Sequence, residues 1–297
     1  MNITKTAIIA ITGRPNVGKS TLMNKIVGEK VSIVTNKPQT TRSRIYGIVN
    51  RGETQLVFVD TPGFHAPKSL LGEYMLKVVK DSMSGVDAVM MLVEPINHLG
   101  KPETQLIEQL KRSQVPALLA VNKIDTVKKE ELLAVIAAYS AAYPFREIVP
   151  ISARTGEGLD ALLDLSSLFA IDGPQLFPED MLTDQTDQQI VGEMVREKLL
   201  ICLDQEIPHG TAVEVIRFSE REDTGIIDLD VTIYCEKASH KSIIIGKNGS
   251  MIKKIGELAR KDIERFMGTK VFLQTWVKVK EKWRDNNGLL RSFGFDK

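Results

Sequence analysis

A glycine-rich segment with one lysine and one serine stands near the start of the chain and reads GRPNVGKS at residues 13–20. Glycines let a backbone wrap phosphate groups with its N–H donors, the lysine can reach the outer phosphates, and the serine hydroxyl can ligate Mg²⁺. The apolar run before this segment and the amphipathic stretch after it are the context that such a loop requires. We therefore predict a nucleoside triphosphate site formed by Gly13, Arg14, Pro15, Asn16, Val17, Gly18, Lys19, Ser20 and Thr21.

A second polar segment, DTPG, follows the apolar run QLVFVD. Its aspartate, Asp60, would lie at the carboxyl end of a strand, where it can hold Mg²⁺ through water. The backbone N–H of Gly63 can meet the γ-phosphate. Because a polar turn after a strand is common, the segment is weak evidence alone, but it extends the predicted site to Asp60, Thr61, Pro62 and Gly63.

A third segment, NKID at residues 122–125, also follows a buried run and indicates which base is bound. The Asp125 carboxylate can accept hydrogen bonds from the N1 and N2 donors of guanine, whereas adenine offers no such pair. A mismatched base would leave a buried charge unpaired, which costs roughly 10⁴ in discrimination. Asn122 can hold the other edge of the site, and the Lys123 stem can cover the base plane. Ser152 and Ala153 are predicted to supply the backbone N–H that meets the guanine O6 atom.

A polar segment between the first two motifs, KPQTTRSR at residues 37–44, is predicted to be a mobile switch that a γ-phosphate orders. Thr40 and Thr41 can each offer a hydroxyl to Mg²⁺; we favour Thr41 and leave Thr40 open. The predicted metal ligands are thus Ser20, Thr41 and Asp60, and the predicted catalytic residues are Lys19, Asn16, Thr41 and Gly63.

The residue after DTPG bears on the rate of hydrolysis. Ras-like enzymes place a glutamine there to orient the attacking water, but this chain has Phe64, which cannot do so. We therefore expect slow intrinsic hydrolysis, with the water positioned by backbone, by a bound cation or by a partner. Asn16 suggests K⁺ as that cation, because P-loop asparagines of related GTPases ligate it; a loop residue that bonds its own backbone is an equally good interpretation.

These motifs need a scaffold that presents them on one edge. Residues 7–169 alternate short apolar runs with amphipathic stretches, which predicts an α/β P-loop domain with a mostly parallel sheet and helices on both faces. The predicted domain covers residues 1–172. Residues 173–183 contain two prolines and no periodicity, so we interpret them as a linker.

The second part of the chain, residues 184–297, has a different order of elements. Helical spacing over residues 187–204 precedes two strand-like runs, VEVIRFSE and IIDLDVTIYCE, then two helices around a tight loop, and a last strand, VFLQTWVKVK. The prediction is a smaller α+β domain with a C-terminal tail.

The tight loop between those two helices, within IIIGKNG, fits a KH-type RNA-binding loop, where glycines allow close approach to phosphates. A helical hairpin with a solvated basic face is the alternative. Apolar residues such as Ile244 are expected to form both core and a floor for unstacked bases, while Trp276 is expected in the core. The predicted RNA-binding residues are Ile244, Gly246, Lys247, Asn248, Gly249, Lys253 and Lys254.

Composition supports two domains with different partners. The net charge is +1, but residues 181–236 hold 4 Lys/Arg against 13 Asp/Glu, while residues 237–297 hold 15 against 6. The basic last quarter points to an anionic partner. The apolar runs are too short to cross a bilayer, and two cysteines without ligand spacing indicate reduced thiols.

Over nearly its full length the chain resembles the Era-like family of bacterial GTPases, through GRPNVGKS, KPQTTR, DTPG, NKID, ISA, IIGKNGSMIK and VKVKEKWR. The resemblance implies a GTPase domain joined to a type II KH domain, with GTP or GDP and Mg²⁺ as ligands. It implies binding to the 3′ end of 16S ribosomal RNA during assembly of the 30S subunit. It also implies a cytoplasmic location with some peripheral association with the inner membrane; a monomer is the default expectation.

Two other functions fit parts of the pattern. A related GTPase could act on another RNA, in tRNA modification or at another ribosomal site, and would carry the same nucleotide motifs. A P-loop small-molecule kinase is opposed by NKID and by the absence of an evident acceptor pocket in the sequence.

Overall fold

The apolar runs that were predicted as buried strands form one sheet in the first part of the chain. The computed structural model describes residues 3–63 and 69–295. The strand order is β2-β3-β1-β4-β5-β6, and a short strand, β7, pairs with β1. The strands are β1 (Lys5–Thr12), β2 (Ile45–Arg51), β3 (Thr54–Asp60), β4 (Ala88–Val93), β5 (Ala117–Val121), β6 (Glu147–Pro150) and β7 (Ile171–Asp172).

Most of this sheet is parallel, as predicted. Strands β3, β1, β4, β5 and β6 run parallel, while β2 pairs antiparallel with β3 and β7 pairs antiparallel with β1. Strand β2 was not predicted from the sequence. The central strand β1 lies between β3 and β4, so the loop after β1 opens beside the carboxyl ends of its neighbours, where ligands bind in such sheets.

Helices cover both faces of the sheet, which confirms the predicted architecture. One apolar cluster joins one face of the strands to α1 and α5, and another joins the opposite face to α3 and α4. This two-sided burial explains why AVMMLV in β4 has no polar alternation. The helices of this part are α1 (Lys19–Val27), α2 (Leu70–Asp81), α3 (Lys101–Ser113), α4 (Lys129–Ala142) and α5 (Leu159–Ser167).

The segment interpreted as a linker, residues 173–183, is held along the sheet. The Gln55 side chain accepts from the N–H groups of Leu176 and Phe177, each at 2.9 Å, and donates to the Phe177 carbonyl. The Ile48 N–H donates to the Leu182 carbonyl at 2.9 Å. Irregular backbone without periodicity therefore satisfies its polar groups on β2 and β3 and is not a free tether.

The second part has the element order that was predicted: helix, strand, strand, helix, helix, strand. These elements are α6 (Asp187–Cys202), β8 (Ala212–Glu220), β9 (Ile227–Cys235), α7 (Ala238–Ile245), α8 (Ser250–Met267) and β10 (Val271–Val279), followed by α9 (Asn287–Ser292) in the tail. The strand order is β10-β9-β8; β9 is parallel to β10 and antiparallel to β8. Helices α6, α7 and α8 pack on one face of this sheet around Leu229, Val231 and Ile233.

The chain divides into two compact units near the predicted boundary, between Asp184 and Gln185. Residues 33–40 and 69–74 group with the second unit. Within that unit, the Val34 N–H donates to Glu197 at 2.9 Å and Lys37 pairs with Asp204 at 3.1 Å. The predicted switch, residues 37–44, therefore belongs partly to each unit. Its polar composition suggested a mobile surface segment, but Thr41 and Arg42 are buried.

Candidate nucleotide and RNA sites

The glycine-rich loop connects the end of β1 to the start of α1 and closes around Lys19. The Lys19 ammonium lies 3.4 Å from both the Gly13 and Arg14 carbonyl oxygens. A side chain at Gly18 would be strained, because φ is 105° and a Cβ would come within 2.4 Å of the Asn122 amide. At Gly13 a Cβ would come within 2.4 Å of the Leu92 carbonyl oxygen. The loop thus needs glycine at both positions to keep this close path.

Three oxygens meet at the start of α1, as the predicted metal site requires. The Ser20 hydroxyl donates to Asp60 Oδ2 at 2.8 Å and lies 2.9 Å from the Thr41 hydroxyl, which is itself 3.4 Å from Asp60 Oδ2. The Asp60 Oδ1 atom is buried and has no hydrogen-bond partner among the described residues. Two hydroxyls and a carboxylate with one unsatisfied oxygen fit a hard cation such as Mg²⁺, which takes oxygen ligands and keeps several waters.

Ser32 also contacts this corner, with its hydroxyl 3.1 Å from Asp60 Oδ2. Ser32 was not predicted, because a serine eight and nine residues upstream of the two threonines carries no spacing signal. Its hydroxyl and that of Ser20 bind the same oxygen of Asp60, which helps to fix the orientation of the carboxylate.

Burial shifts the ionisation of both charges at this corner. Burial lowers the pKa of Lys19, and the Asp60 charge opposes that shift only in part. Burial likewise raises the pKa of Asp60 against Lys19 and the hydroxyl donors. Both charges are therefore incompletely stabilised by the protein itself, and a cation beside Asp60 and phosphates beside Lys19 would stabilise them.

The structure separates Thr41 from Thr40, which the sequence left open. The Thr40 hydroxyl lies 2.7 Å from both the Thr35 hydroxyl and the Lys37 carbonyl oxygen, within its own segment. Only Thr41 lies beside Ser20 and Asp60.

We expect Thr41→Ala to slow Mg²⁺-dependent GTP turnover by at least about tenfold, because it would remove a predicted metal ligand. Thr40→Ala is the matched control and should change turnover little. Steady-state phosphate release measured over a Mg²⁺ titration checks both variants. A larger loss for Thr40→Ala than for Thr41→Ala would contradict this assignment.

Asn122 joins the three loops that line the site. Its amide donates to the Val17 carbonyl at 2.8 Å and its carbonyl oxygen accepts from the Ala153 N–H at 2.8 Å. The Ser152 N–H donates to the Glu157 carbonyl at 2.9 Å. Both N–H groups proposed for the guanine O6 atom thus already have protein acceptors, and that contact, which would require a shared donor, stays a prediction.

The carboxylate that is predicted to read guanine is held from two sides. Asp125 Oδ1 accepts from the Ser152 hydroxyl at 2.6 Å, and Oδ2 accepts from Arg154 at 2.5 Å. The Ser152 hydrogen bond first, and the charge of Arg154 next, hold the pKa of Asp125 below its usual value. The group is thus an acceptor-only carboxylate near neutral pH, with lone pairs to spare for two base donors. Arg154 was not predicted, because an arginine after ISA carries no distinctive spacing.

Glu94, also missed, lies between the phosphate loop and the base loop. Its carboxylate forms ion pairs with Arg14 and with Lys123, and the Lys123 ammonium donates to the Asn16 carbonyl at 2.9 Å. Burial, and then the charge of Arg14, lower the pKa of Lys123. The signal was available, because Glu94 ends the buried run AVMMLVE just as Asp60 ends QLVFVD.

The remaining predicted nucleotide residues fall around the same loops. The Thr61 hydroxyl donates to the Ile11 carbonyl at 2.9 Å and is fully buried, so its side chain supports the sheet. A Cβ on Gly63 would come within 3.0 Å of Pro15, so the segment DTPG passes directly against the phosphate loop. Val17 and Pro62 are buried and Thr21 is partly buried. Phe64 lies outside the described residues.

The predicted RNA loop links α7 to α8. Gly246, Asn248 and Gly249 have φ values of 74°, 52° and 77°, which suits the sharp turn that brings backbone close to a phosphate. Lys247 and Asn248 at its tip are exposed, and so are Lys253 and Lys254 on α8. The loop and the start of α8 therefore expose backbone groups and positive charge on the same part of the surface.

Two predictions for apolar residues of this unit were wrong. Ile244 is fully buried in the helix-side core, because in the run Ile243–Ile245 only one side chain can point at the sheet, so it cannot form a floor for bases. Ile243, which is 48% exposed, is the accessible neighbour. Trp276 was expected in the core, but it is 56% exposed on β10.

Other kinds of site find no support in the part of the chain that the structure describes. There, no group of three or more His, Cys, Asp or Glu residues could hold a metal ion. Among the same residues, no helix has the length and apolar character needed to cross a membrane. Cys202 and Cys235 are both free thiols.

Comparison with known families gives one match for each unit. The family of 50S ribosome-binding GTPases matches residues 8–123, and the KH domain family matches residues 206–284. The first match contains the phosphate loop and extends to the base loop, and the second contains the loop between α7 and α8.

Two characterised proteins are similar over almost the whole chain. GTPase Era of Ruminiclostridium cellulolyticum is 50% identical over 291 residues, which cover 98% of this chain and 97% of that protein. GTPase Era of Alkaliphilus metalliredigens is 49% identical over 292 residues, with 98% and 99% covered.

Two solved structures share the fold of the full chain. A crystal structure of Era in complex with MgGDPNP and nucleotides 1506–1542 of 16S ribosomal RNA has a TM-score of 0.95 at 34% identity, covering 99% of this chain and all of that one. An Era variant from Aquifex aeolicus bound to GDP and AlF4⁻ has a TM-score of 0.94 at 35% identity with the same coverage. These likenesses extend through both units.

Proposed function

The chain belongs to the Era family of GTPases, and from this premise we propose that it couples GTP hydrolysis to binding of the 3′ end of 16S ribosomal RNA during assembly of the 30S subunit. The observation that carries the proposal is the presence of two sites in one chain. One is the triphosphate corner of Lys19, Ser20 and Asp60; the other is the exposed loop between α7 and α8.

In this proposal each residue of the nucleotide site has one role in binding or hydrolysing GTP. Lys19 binds the outer phosphates and stabilises the charge that develops on them, while the Gly63 N–H donates to the γ-phosphate. Ser20 and Thr41 would hold Mg²⁺ directly and Asp60 would hold it through water. When bound, this ion neutralises charge on the β- and γ-phosphate oxygens. Asp125 selects guanine, and Asn122 holds the surrounding loops in place through its hydrogen bonds to Val17 and Ala153.

The water-positioning group is proposed to include a monovalent cation. Asn16 is exposed at the turn of the phosphate loop with φ of 64°, so its side chain can reach ligands outside the loop. The loop is proposed to hold K⁺ and not the smaller Na⁺. We therefore expect GTP turnover to be faster in K⁺ than in Na⁺ by about tenfold, because only a held cation places a fixed charge at the transition state. Steady-state phosphate release in matched salts checks this. Equal rates, together with a silent Asn16→Ala variant, would exclude K⁺.

RNA binding is tested at Gly249, where a Cβ would have no heavy atom within 4 Å. We expect Gly249→Asp to weaken binding of single-stranded RNA from the 16S 3′ end at least about tenfold, because a like charge at the interface repels phosphate. Gly268→Asp is a matched control: its φ is 68°, near the 77° of Gly249, and it also has open space, but it lies at the other end of α8. Fluorescence anisotropy with labelled RNA measures both affinities.

The same titrations test coupling and specificity. Because coupling between two ligands is reciprocal, RNA affinity should differ between the GDP and GTP-analogue forms, and RNA should change GTP affinity by the same factor. Scrambled RNA and tRNA are the competitors. Tighter binding to tRNA would favour the alternative of a related GTPase that acts on another RNA, and equal, sequence-blind binding would count against the proposal.

Cytoplasmic location, peripheral association with the inner membrane and a monomeric state remain predictions that rest on the family resemblance. Cell fractionation and vesicle flotation check the first two, and sedimentation checks the third. An integral-membrane fraction resistant to salt and carbonate would contradict peripheral association.

A further inference from the structure

The edge strand β10 carries two large aromatic side chains, Phe272 and Trp276, that are exposed on one face of the three-stranded sheet. Odd-numbered residues of β10, including Leu273 and Val277, point into the core beneath α6, α7 and α8. The even-numbered residues point to the other side. We call the stripe formed by Phe272, Gln274, Trp276, Lys278 and Lys280 the aromatic face; all five residues are exposed.

The exposure of its two rings is unusual for residues of this size. Phe272 is 50% exposed and Trp276 is 56% exposed. Exposed aromatic rings are groups on which flat ligands can stack. The two rings stand four residues apart on one strand, which places them about 13 Å apart. Each ring can therefore carry its own flat ligand.

The charges around the rings favour a polyanion. Lys278 and Lys280 extend the stripe beyond Trp276. Beside Phe272, Arg217 and Arg221 share the single carboxylate of Asp228, at 3.3 and 2.6 Å. The Arg221 guanidinium also lies over the Phe272 ring, 5.6 Å from its centroid.

Acidic groups also lie on this side, and they are found mainly beside the two arginines. Asp230 lies opposite Gln274, and the Glu214 carboxylate accepts from the Tyr234 hydroxyl at 2.8 Å. Together with Asp228, and with Asp223 near Arg221, they equal the four cations in number. Lys278 and Lys280, next to Trp276, form no ion pair among the described residues and are exposed, so the positive charge is concentrated at that end of the stripe. Gln274 lies between the two rings on β10, with Asp230 opposite it on β9, which leaves no continuous apolar centre of the kind found in protein interfaces.

We propose that the aromatic face is a second RNA-contacting surface, on which two bases of a single strand stack on Trp276 and Phe272 while Lys278, Lys280 and the arginines bind phosphates. Aromatic rings with basic neighbours bind single strands in this way, because every base has a flat face and stacking tolerates different sequences. The inference rests on the proposed function in so far as RNA is the partner. It adds a contact surface distinct from the loop at residues 246–249.

The two surfaces lie on opposite sides of the sheet. The loop at residues 246–249 joins α7 and α8, which pack on the odd-numbered side of β10, whereas Trp276 is on the even-numbered side. A short strand bound at the loop would not reach Trp276. A longer RNA could contact both, so RNA length separates the two contributions.

The chain offers a direct spectroscopic test, because its two tryptophans differ in exposure. Trp283 is fully buried and its indole N–H donates to the Gly210 carbonyl at 2.9 Å, while Trp276 is exposed. Stacking of a base on Trp276 should quench its emission and leave that of Trp283 unchanged. We would titrate the full-length protein with the 16S fragment 1506–1542, with a short strand from its 3′ end, and with oligouridine.

The expected results distinguish stacking from a structural role. The long fragment should quench wild-type emission, and Trp276→Phe should remove the quenching but keep most of the affinity, because a phenylalanine ring still stacks. Trp276→Ala should weaken binding of the long fragment about tenfold and leave the short strand unaffected. Ile201→Ala, which trims another exposed apolar side chain at 54% exposure, is the control and should change neither. Thermal unfolding verifies that each variant is folded.

The results that would contradict this inference differ from those that would contradict the proposed function. Wild-type affinity of Trp276→Ala for the long fragment, without quenching and with Gly249→Asp still defective, would overturn the aromatic face alone. Absence of binding to every RNA would overturn both. If Trp276→Ala bound naked RNA normally but lost affinity for intact 30S subunits, the face would contact protein and the RNA assignment would be wrong.

Discussion

Asp125→Asn is expected to lower the affinity for GTP about 10⁴-fold, because a site built to bind a base through hydrogen bonds rejects a mismatched partner by that order. The carboxylate accepts from Ser152 and Arg154 and retains lone pairs for the N1 and N2 donors of guanine. An asparagine amide presents a donor to the N2 donor, so one hydrogen bond becomes a repulsion. Xanthine carries an oxygen at that position, and xanthosine triphosphate should therefore bind the variant better than GTP does.

Competition calorimetry with GTP and xanthosine triphosphate measures this exchange of specificity. Asp160→Asn is the matched control, since Asp160 is an exposed aspartate of the same unit that pairs with Arg51 at the surface. It should leave both affinities unchanged. A folded Asp125→Asn protein with wild-type affinity for GTP would show that Asp125 does not read the base.

Lys19→Met should reduce kcat/KM for GTP about 10³-fold, the order found when one preorganised donor is removed from a transition-state charge. The methionine keeps the volume of the buried stem and removes only the ammonium, which lies within 3.4 Å of the loop carbonyls. Because Lys19 is proposed to contact the outer phosphates, the loss in affinity should be greater for the GTP analogue than for GMP.

Lys25→Met is the control for that change, because Lys25 lies on the same helix, α1, and is exposed. Single-turnover kinetics and analogue binding should leave this control close to wild type. If both lysine variants lost activity equally, the effect would be one of helix stability and not of phosphate binding.

The positions of the nucleotide motifs could be predicted because each one ends a buried strand. Asp60 and Asn122 follow apolar runs whose composition indicates parallel strands, and parallel strands bring their carboxyl ends to one edge. The choice between Thr40 and Thr41 could not be made from sequence, since neighbouring threonines differ only in where the backbone directs them. Ser32 and Arg154 were missed for a similar reason: each reaches its carboxylate through tertiary contacts that leave no local pattern.

The wrong prediction for Trp276 has a different cause, because the sequence does contain the alternating pattern that indicates its position. In VFLQTWVKV the residues at odd positions are Val271, Leu273, Thr275, Val277 and Val279, and the even positions hold Phe272, Gln274, Trp276 and Lys278. Period-two alternation places Trp276 with the polar residues. The residue's hydrophobicity was given more weight than its position in the strand, and position decided which face it occupies.

The Asn122 side chain has a consequence for the time course of nucleotide release. One amide ties the loop that holds the phosphates, at Val17, to the loop beside the base, at Ala153. The loop that would contact the phosphates of a bound nucleotide and the loop that would contact its base are therefore joined through Asn122. We expect the two loops to open together. Release should be a single cooperative event with one exponential phase, and rebinding of one end while the other is detached should be rare. A factor that accelerates nucleotide release would therefore have to break the hydrogen bonds of Asn122.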